Sequence, residues 1–165
     1  MVDSMDGRRD DNCIGDGPLR HIYVHIPFCA RICPYCAFYK ERADPAQTGR
    51  FCEAVLAELA QEAGRLPTQP TTIFFGGGTP TALTTSQLAV LFDGFEKSLD
   101  LSQLTEWTLE ANPGSVSERK AHLLRDRGVT RISLGVQSFD NGLLELLGRE
   151  HSAAQAVASF ELLRR

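Results

Sequence analysis

The chain has 165 residues, 42% of them hydrophobic and 23% charged, with a formal net charge of −4 and five cysteines. That is enough apolar content for one buried core. No apolar run reaches the roughly 20 residues that would cross a bilayer, and the lack of a Lys/Arg cluster argues against nucleic acid as a partner. An odd number of cysteines with no secretory signal argues against a disulfide scaffold and for a cytoplasmic location.

Residues 1–18 are polar and rich in Asp and Gly, and are expected to form a disordered leader. From Leu19 onward, short β-rich runs alternate with amphipathic segments, the pattern of βα units on a parallel sheet. The first strand is expected over about His21 to Ile26 and its helix over Pro45 to Ala63, with Phe51, Val55, Leu56 and Leu59 on one face. Pro67 and Pro70 then punctuate the chain. The second strand, Thr72 to Phe75, runs into Gly76-Gly77-Gly78-Thr79-Pro80, and its helix covers Thr85 to Leu99. Glu106 to Ala111 is the third strand, Asn112-Pro113-Gly114 a turn, and Ser117 to Arg127 a helix capped by Ser115 or Ser117 and closed by Gly128. A fourth strand spans about Arg131 to Val136, followed by helices near Asn141 to Leu147 and from Ser152 to the end.

The chemistry concentrates in His25-Ile26-Pro27-Phe28-Cys29-Ala30-Arg31-Ile32-Cys33-Pro34-Tyr35-Cys36. Three thiolates at C-x3-C-x2-C spacing on one loop suit an iron–sulfur cluster, which usually takes four cysteines; three would leave one iron open to a small molecule. Zinc is the weaker reading, because structural zinc sites use four ligands at other spacings, and His25, Cys13 or Cys52 would have to complete one. Cys13 and Cys52 read as ordinary residues, Cys52 as a buried helical thiol.

In parallel α/β folds, ligands bind at the carboxyl ends of the strands. The cysteine loop follows strand one, Gly76 to Thr79 follow strand two, Glu110 ends strand three and Gln137 ends strand four. Four signals, each weak alone, thereby fall on one predicted site. The glycines permit close backbone approach to a ligand, Gln137 offers a buried amide, and Arg149 lies near enough in sequence to fold back with a guanidinium for a carboxylate.

Ile22 to Cys29, Phe75-Gly76-Gly77-Gly78-Thr79-Pro80, Glu110-Ala111-Asn112-Pro113, Arg131 to Phe139 and Leu147-Gly148-Arg149 together resemble the oxygen-independent coproporphyrinogen III oxidase family of radical S-adenosylmethionine (radical SAM) proteins. The resemblance implies an α/β fold, the N-terminal part, about four βα units, of a partial (β/α)6-type TIM barrel. It further implies that Cys29, Cys33 and Cys36 ligate a [4Fe–4S] cluster and that Tyr23, Gly77, Gly78, Thr79, Glu110, Gln137 and Arg149 contact S-adenosylmethionine. In such proteins the reduced cluster cleaves the cofactor to a 5′-deoxyadenosyl radical. A full (β/α)8 barrel takes roughly 200 residues at least, so residues 19–165 are expected to be a radical SAM core truncated at its C-terminus.

Two functions occur in that family. The oxidases resemble one another in a further cysteine two residues beyond the third ligand, where this chain has Phe38; the heme-chaperone subgroup, HemW, has an aromatic there. The resemblance therefore implies a heme chaperone, with heme or porphyrin as ligand and heme-receiving respiratory proteins as partners. Porphyrinogen oxidation is the alternative, and a fragment that only binds metal is the non-enzymatic one. The chain offers His21, His25, His122 and His151 as histidines, none of which the pattern assigns to heme.

Overall fold

The computed structural model describes residues 18–65 and 68–165; the expected leader and Pro67 lie outside them, as does Cys13. Four strands form one wholly parallel sheet: β1 (Leu19–Ile26), β4 (Thr68–Gly77), β5 (Glu106–Ala111) and β6 (Arg131–Leu134), in that spatial order. A second, two-residue parallel pair joins β2 (Phe28–Cys29) to β3 (Glu41–Arg42). The helices are α1 (Pro45–Ala63), α2 (Thr85–Ser98), α3 (Glu118–Asp126), α4 (Asn141–Leu146) and α5 (Ala153–Arg164), with a 3₁₀ turn at Pro80–Ala82. α1 packs on α2, α2 on α3, and α3 on α5. Strand order thus follows chain order without reversal, as in a barrel wall; a doubly wound sheet would reverse at a switch point.

Period-two alternation sorts the side chains onto two faces. Val24, Phe75, Leu109 and Ile132 stand side by side across the sheet and join the core with Leu88, Leu91, Phe92 and Phe95 of α2. Phe75, Phe92, Phe95 and Trp107 pack ring against ring, Phe92 and Trp107 with centroids 4.9 Å apart. Each such fully buried ring contributes on the order of 2–3 kcal/mol. The opposite row reads Tyr23, Phe74, Thr108 and Arg131, and here Arg131 Nε donates to Thr108 Oγ1 at 2.8 Å. Parallel sheets are normally covered on both faces by apolar contacts; this one presents a polar, partly exposed second face, as the lumen side of a barrel wall would.

Local chemistry sets the helix starts. Asp44 accepts from the amides of Ala46 and Gln47, with Pro45 in the first helical turn; Thr84 with Gln87 and Ser152 with Gln155 form capping boxes. Ser117, and not Ser115, caps α3, because the Ser115 hydroxyl is taken by Asn112 O at 2.5 Å and by Thr81 Oγ1 at 2.6 Å. Gly128, at φ 78°, closes that helix.

Three expectations change. The second strand begins at Thr68, four residues early, and contains Pro70. A register shift accommodates the proline: Leu19 pairs with Thr68 and His21 with Thr72, so the extra residues of β4 leave the ladder where no amide is available. The fourth strand ends at Leu134, before Val136. Finally, the β2–β3 pair was not expected, since runs of two residues carry no periodicity.

Candidate functional site

The cysteine loop is held at both ends. Phe28, 2% exposed, sets its ring edge-on to Phe51 at 5.1 Å, and the β2–β3 pair brings Glu41 and Arg42 alongside Phe28 and Cys29. Between these anchors, Cys29 is buried while Cys33 and Cys36 are half-buried. Lys40 Nζ donates to the carbonyls of Cys36 and Phe38. Tyr35, Phe38 and Tyr39 stay exposed, Phe38 at 70%.

β4 extends through Gly76 and Gly77, past the expected end at Phe75, and these glycines with Gly78 serve close packing. A Cβ on Gly78 would lie 2.6 Å from the Pro27 carbonyl carbon and 2.8 Å from Phe28 O, and one on Gly77 2.6 Å from the His25 ring. Gly77 also has φ 106°, a region side chains rarely adopt. Their absent side chains let Gly78 N donate to Ile26 O and Thr79 N to Phe28 O, each at 2.8 Å, so the turn is stitched directly under the cysteine loop. Glu110 Oε2 accepts from Gly77 N at 3.1 Å. The expected glycine role, approach to a ligand, is therefore joined by an internal one.

Every residue expected at the site except Tyr23 lines one cleft of about 290 Å³: Cys29, Cys33, Cys36, Gly77, Gly78, Thr79, Glu110, Gln137 and Arg149. Tyr23 is 59% exposed on the open face of β1, its hydroxyl bonded to His25 Nδ1 at 3.0 Å. Burial and then the nearby Glu110 carboxylate raise its pKa. Gln137, expected as a buried amide, is instead exposed beyond the end of β6; it has φ 67°, left-handed backbone in a non-glycine residue. Such conformations cluster at functional sites. Arg149 folds back as expected: Nη1 donates to Cys33 Sγ at 3.6 Å and Nη2 to both Asn112 Oδ1 and Gly135 O at 2.7 Å. Its Nε is buried with no hydrogen-bond partner among the described residues.

Asn112 and Lys40 also line this cleft and escaped sequence reading as site residues. Asn112 read as a turn residue of an Asn-Pro-Gly sequence, and nothing local distinguishes a turn asparagine from one whose amide faces a cleft. Of the three proposed zinc partners, Cys13 lies outside the described residues, and Cys52 and His25 do not join the thiols. Cys52 is buried in the core, its thiol pushed up to about 11 by desolvation, and His25 spends its nitrogens on Tyr23 and Tyr39.

Desolvation raises the Cys29 thiol first of all; Thr79 Oγ1, donating to Cys29 Sγ at 3.5 Å, opposes this, and Cys36 and Cys33 add to it through their charges. Among the described residues no three His, Cys, Asp or Glu side chains gather at metal-ligating distance. Ligands are commonly drawn together by the metal they bind. The donor set fits an iron–sulfur cluster: soft thiols on one loop, a cleft beside them, and an unpartnered guanidinium nitrogen in the adjoining arginine.

The relatives agree with this architecture. Over 144 residues, 87% of this chain, it is 42% identical to the heme chaperone HemW of Lactococcus lactis, and over 149 residues it is 40% identical to HemW of Bacillus subtilis. The matched regions are only 37% and 39% of those proteins, so the chain spans well under half their length. The structure of the radical SAM enzyme coproporphyrinogen III oxidase (HemN) from Escherichia coli superposes with a TM-score of 0.81 at 27% identity, covering 89% of this chain and 34% of that one. The family model for the radical SAM superfamily matches residues 23–165, from the middle of β1 through the cysteine loop to the last residue, and by that match the chain belongs to the radical SAM superfamily.

Proposed function

We propose that the chain carries the cluster-and-cofactor half of a HemW-like heme chaperone. Cys29, Cys33 and Cys36 hold a [4Fe–4S] cluster through thiolates, and S-adenosylmethionine lies in the cleft they share with Gly77, Gly78, Thr79, Glu110, Gln137 and Arg149, with Tyr23 at the rim. When bound, the cluster supplies an electron to the cofactor's sulfonium. The chain's own residues do the positioning. The Arg149 guanidinium suits the cofactor carboxylate, Glu110 and the carbonyls of the glycine turn suit its amino group, and the Gln137 amide suits a ribose hydroxyl. Heme or a porphyrin is the ligand delivered, respiratory hemoproteins are the recipients, and the cytoplasm is the location.

The observation that carries this reading is the single cleft that collects residues from the carboxyl ends of all four main strands. The chaperone is favoured over the oxidase by Phe38, exposed at the cleft where the oxidases have cysteine, and by the higher identity to HemW than to HemN. The similarity of fold to HemN keeps porphyrinogen oxidation as the second reading.

Electron paramagnetic resonance of the anaerobically reconstituted, dithionite-reduced chain tests the site. A [4Fe–4S] signal that changes shape with S-adenosylmethionine, and is lost in Cys29→Ala, Cys33→Ala and Cys36→Ala, is expected; a signal indifferent to the cofactor would refute the shared cleft. Heme titration followed by visible absorption tests the cargo. Turnover of coproporphyrinogen III would replace the chaperone reading by the oxidase one.

There is no helix among the described residues long and apolar enough to cross a membrane.

A further inference from the structure

We propose that Asn112 is a positioning residue that aims the Thr79 hydroxyl proton at the Cys29 sulfur while holding Arg149 against Cys33, so that one side-chain amide sets the hydrogen bonding of two cluster ligands. The proposal rests on the assignment of Cys29 and Cys33 as ligands made above.

The direction of each bond follows from the donor inventory. A guanidinium can only donate, so the Asn112 oxygen must face Arg149 Nη2, 2.7 Å away. That leaves the amide nitrogen facing Thr79 Oγ1 at 2.9 Å, where it too can only donate. The Thr79 hydroxyl therefore accepts from Asn112, cannot donate back to it, and has its single proton free for Cys29 Sγ at 3.5 Å. Thr79 is 4% exposed, which keeps water from competing for that proton. On the other arm, Arg149 Nη1 reaches Cys33 Sγ at 3.6 Å.

A second feature points to the same amide. A Cβ on Gly135 would lie 2.8 Å from Asn112 Oδ1 and 3.2 Å from Gln137 Nε2; with glycine there, the Asn112 oxygen and the Gly135 carbonyl together receive Arg149 Nη2. The Asn112 backbone is fixed as well, its N–H donating to Ser115 Oγ at 3.2 Å and its carbonyl accepting from the same hydroxyl at 2.5 Å. Hydrogen bonds to the sulfurs of an iron–sulfur cluster raise its reduction potential, and partners one shell out orient the ligands themselves.

The test is a double-mutant cycle on the potential. Asn112→Asp keeps an acceptor for Arg149 but turns the donor toward Thr79 into an acceptor, which draws the hydroxyl proton away from Cys29. EPR-monitored redox titration of the reconstituted chain is expected to show a more negative potential in Asn112→Asp. In a Thr79→Val background the same substitution should shift the potential by less, because only the added charge remains. Equal shifts in the two backgrounds would overturn the proposal. The same four proteins, metal-free, are compared by thermal unfolding, where coupling between positions 79 and 112 is expected and strict additivity would again overturn it. A wild-type chain that takes up no iron overturns the ligand assignment and with it the effect on potential, whereas the metal-free cycle still reads whether the amide orders Thr79.

Discussion

Lys120 offers a sharp test of how the floor of the cleft is held. It projects from α3 into the interior, 8% exposed, and its ammonium donates to Thr81 O at 2.6 Å, Leu83 O at 2.9 Å and Ser115 O at 3.2 Å. These carbonyls belong to the 3₁₀ turn that follows Thr79 and to the turn that follows Asn112, so one side chain ties together two segments that carry cleft residues. Lys120→Met keeps length and removes the donors. Hydrogen bonds to a charged group are worth about 1.5–3 kcal/mol each. Against their loss stands relief from burying an ammonium, a penalty of several kcal/mol that already lowers the Lys120 pKa. The three carbonyls left without this donor cost about 1–3 kcal/mol each, and the relief offsets part of that, for a net loss of about 3 kcal/mol. For a chain of this size each kcal/mol moves Tm by roughly 2–4 °C, so a drop of about 6–12 °C is expected in thermal unfolding. The sign with pH is also fixed. With the folded pKa below the ordinary 10.5, the unfolded chain binds more protons between the two values. The wild-type advantage over Lys120→Met should therefore widen as pH rises through that window. A Lys120→Met chain as stable as the wild type would refute the role of the ammonium as the clamp.

Cys52, raised to about 11 by burial from the ordinary 9.0, keeps its proton after the unfolded chain has lost its own. Its contribution is full below pH 9 and lost as pH rises toward 11, so wild type and Cys52→Ala, compared in urea at pH 8 and pH 11, should differ less at the higher pH, by about 2–3 kcal/mol. Gly78→Ala, whose Cβ meets only backbone atoms of Pro27 and Phe28, should lose about 2–3 kcal/mol. Gly114→Ala has open space around it but φ 79° and should lose about 1 kcal/mol; equal losses in denaturant would contradict the packing argument. Gln137→Gly relieves a φ of 67° and should raise stability by up to about 1 kcal/mol, while weakening S-adenosylmethionine binding measured by calorimetry. Unchanged affinity would remove Gln137 from the site.

Sequence alone determined the elements whose signal is local. The amphipathic helices α1 and α2, the closing Gly128 of α3 and the cysteine spacing all follow from residues within one or two turns of one another. So did the convergence of motifs on strand carboxyl ends, because chain order and strand order coincide in a barrel wall. Tertiary structure decided what depends on contacts distant in sequence. Pro70 lies inside β4 because a bulge opposite Leu19 and His21 removes the need for its amide. Gly77 and Gly78 have a double duty that appears only when His25 of β1 and the Pro27–Phe28 backbone lie against them. Asn112, an ordinary turn asparagine by sequence, becomes the link between Thr79 and Arg149, residues 33 and 37 positions away, and no periodicity or spacing carries hydrogen bonds across such separations.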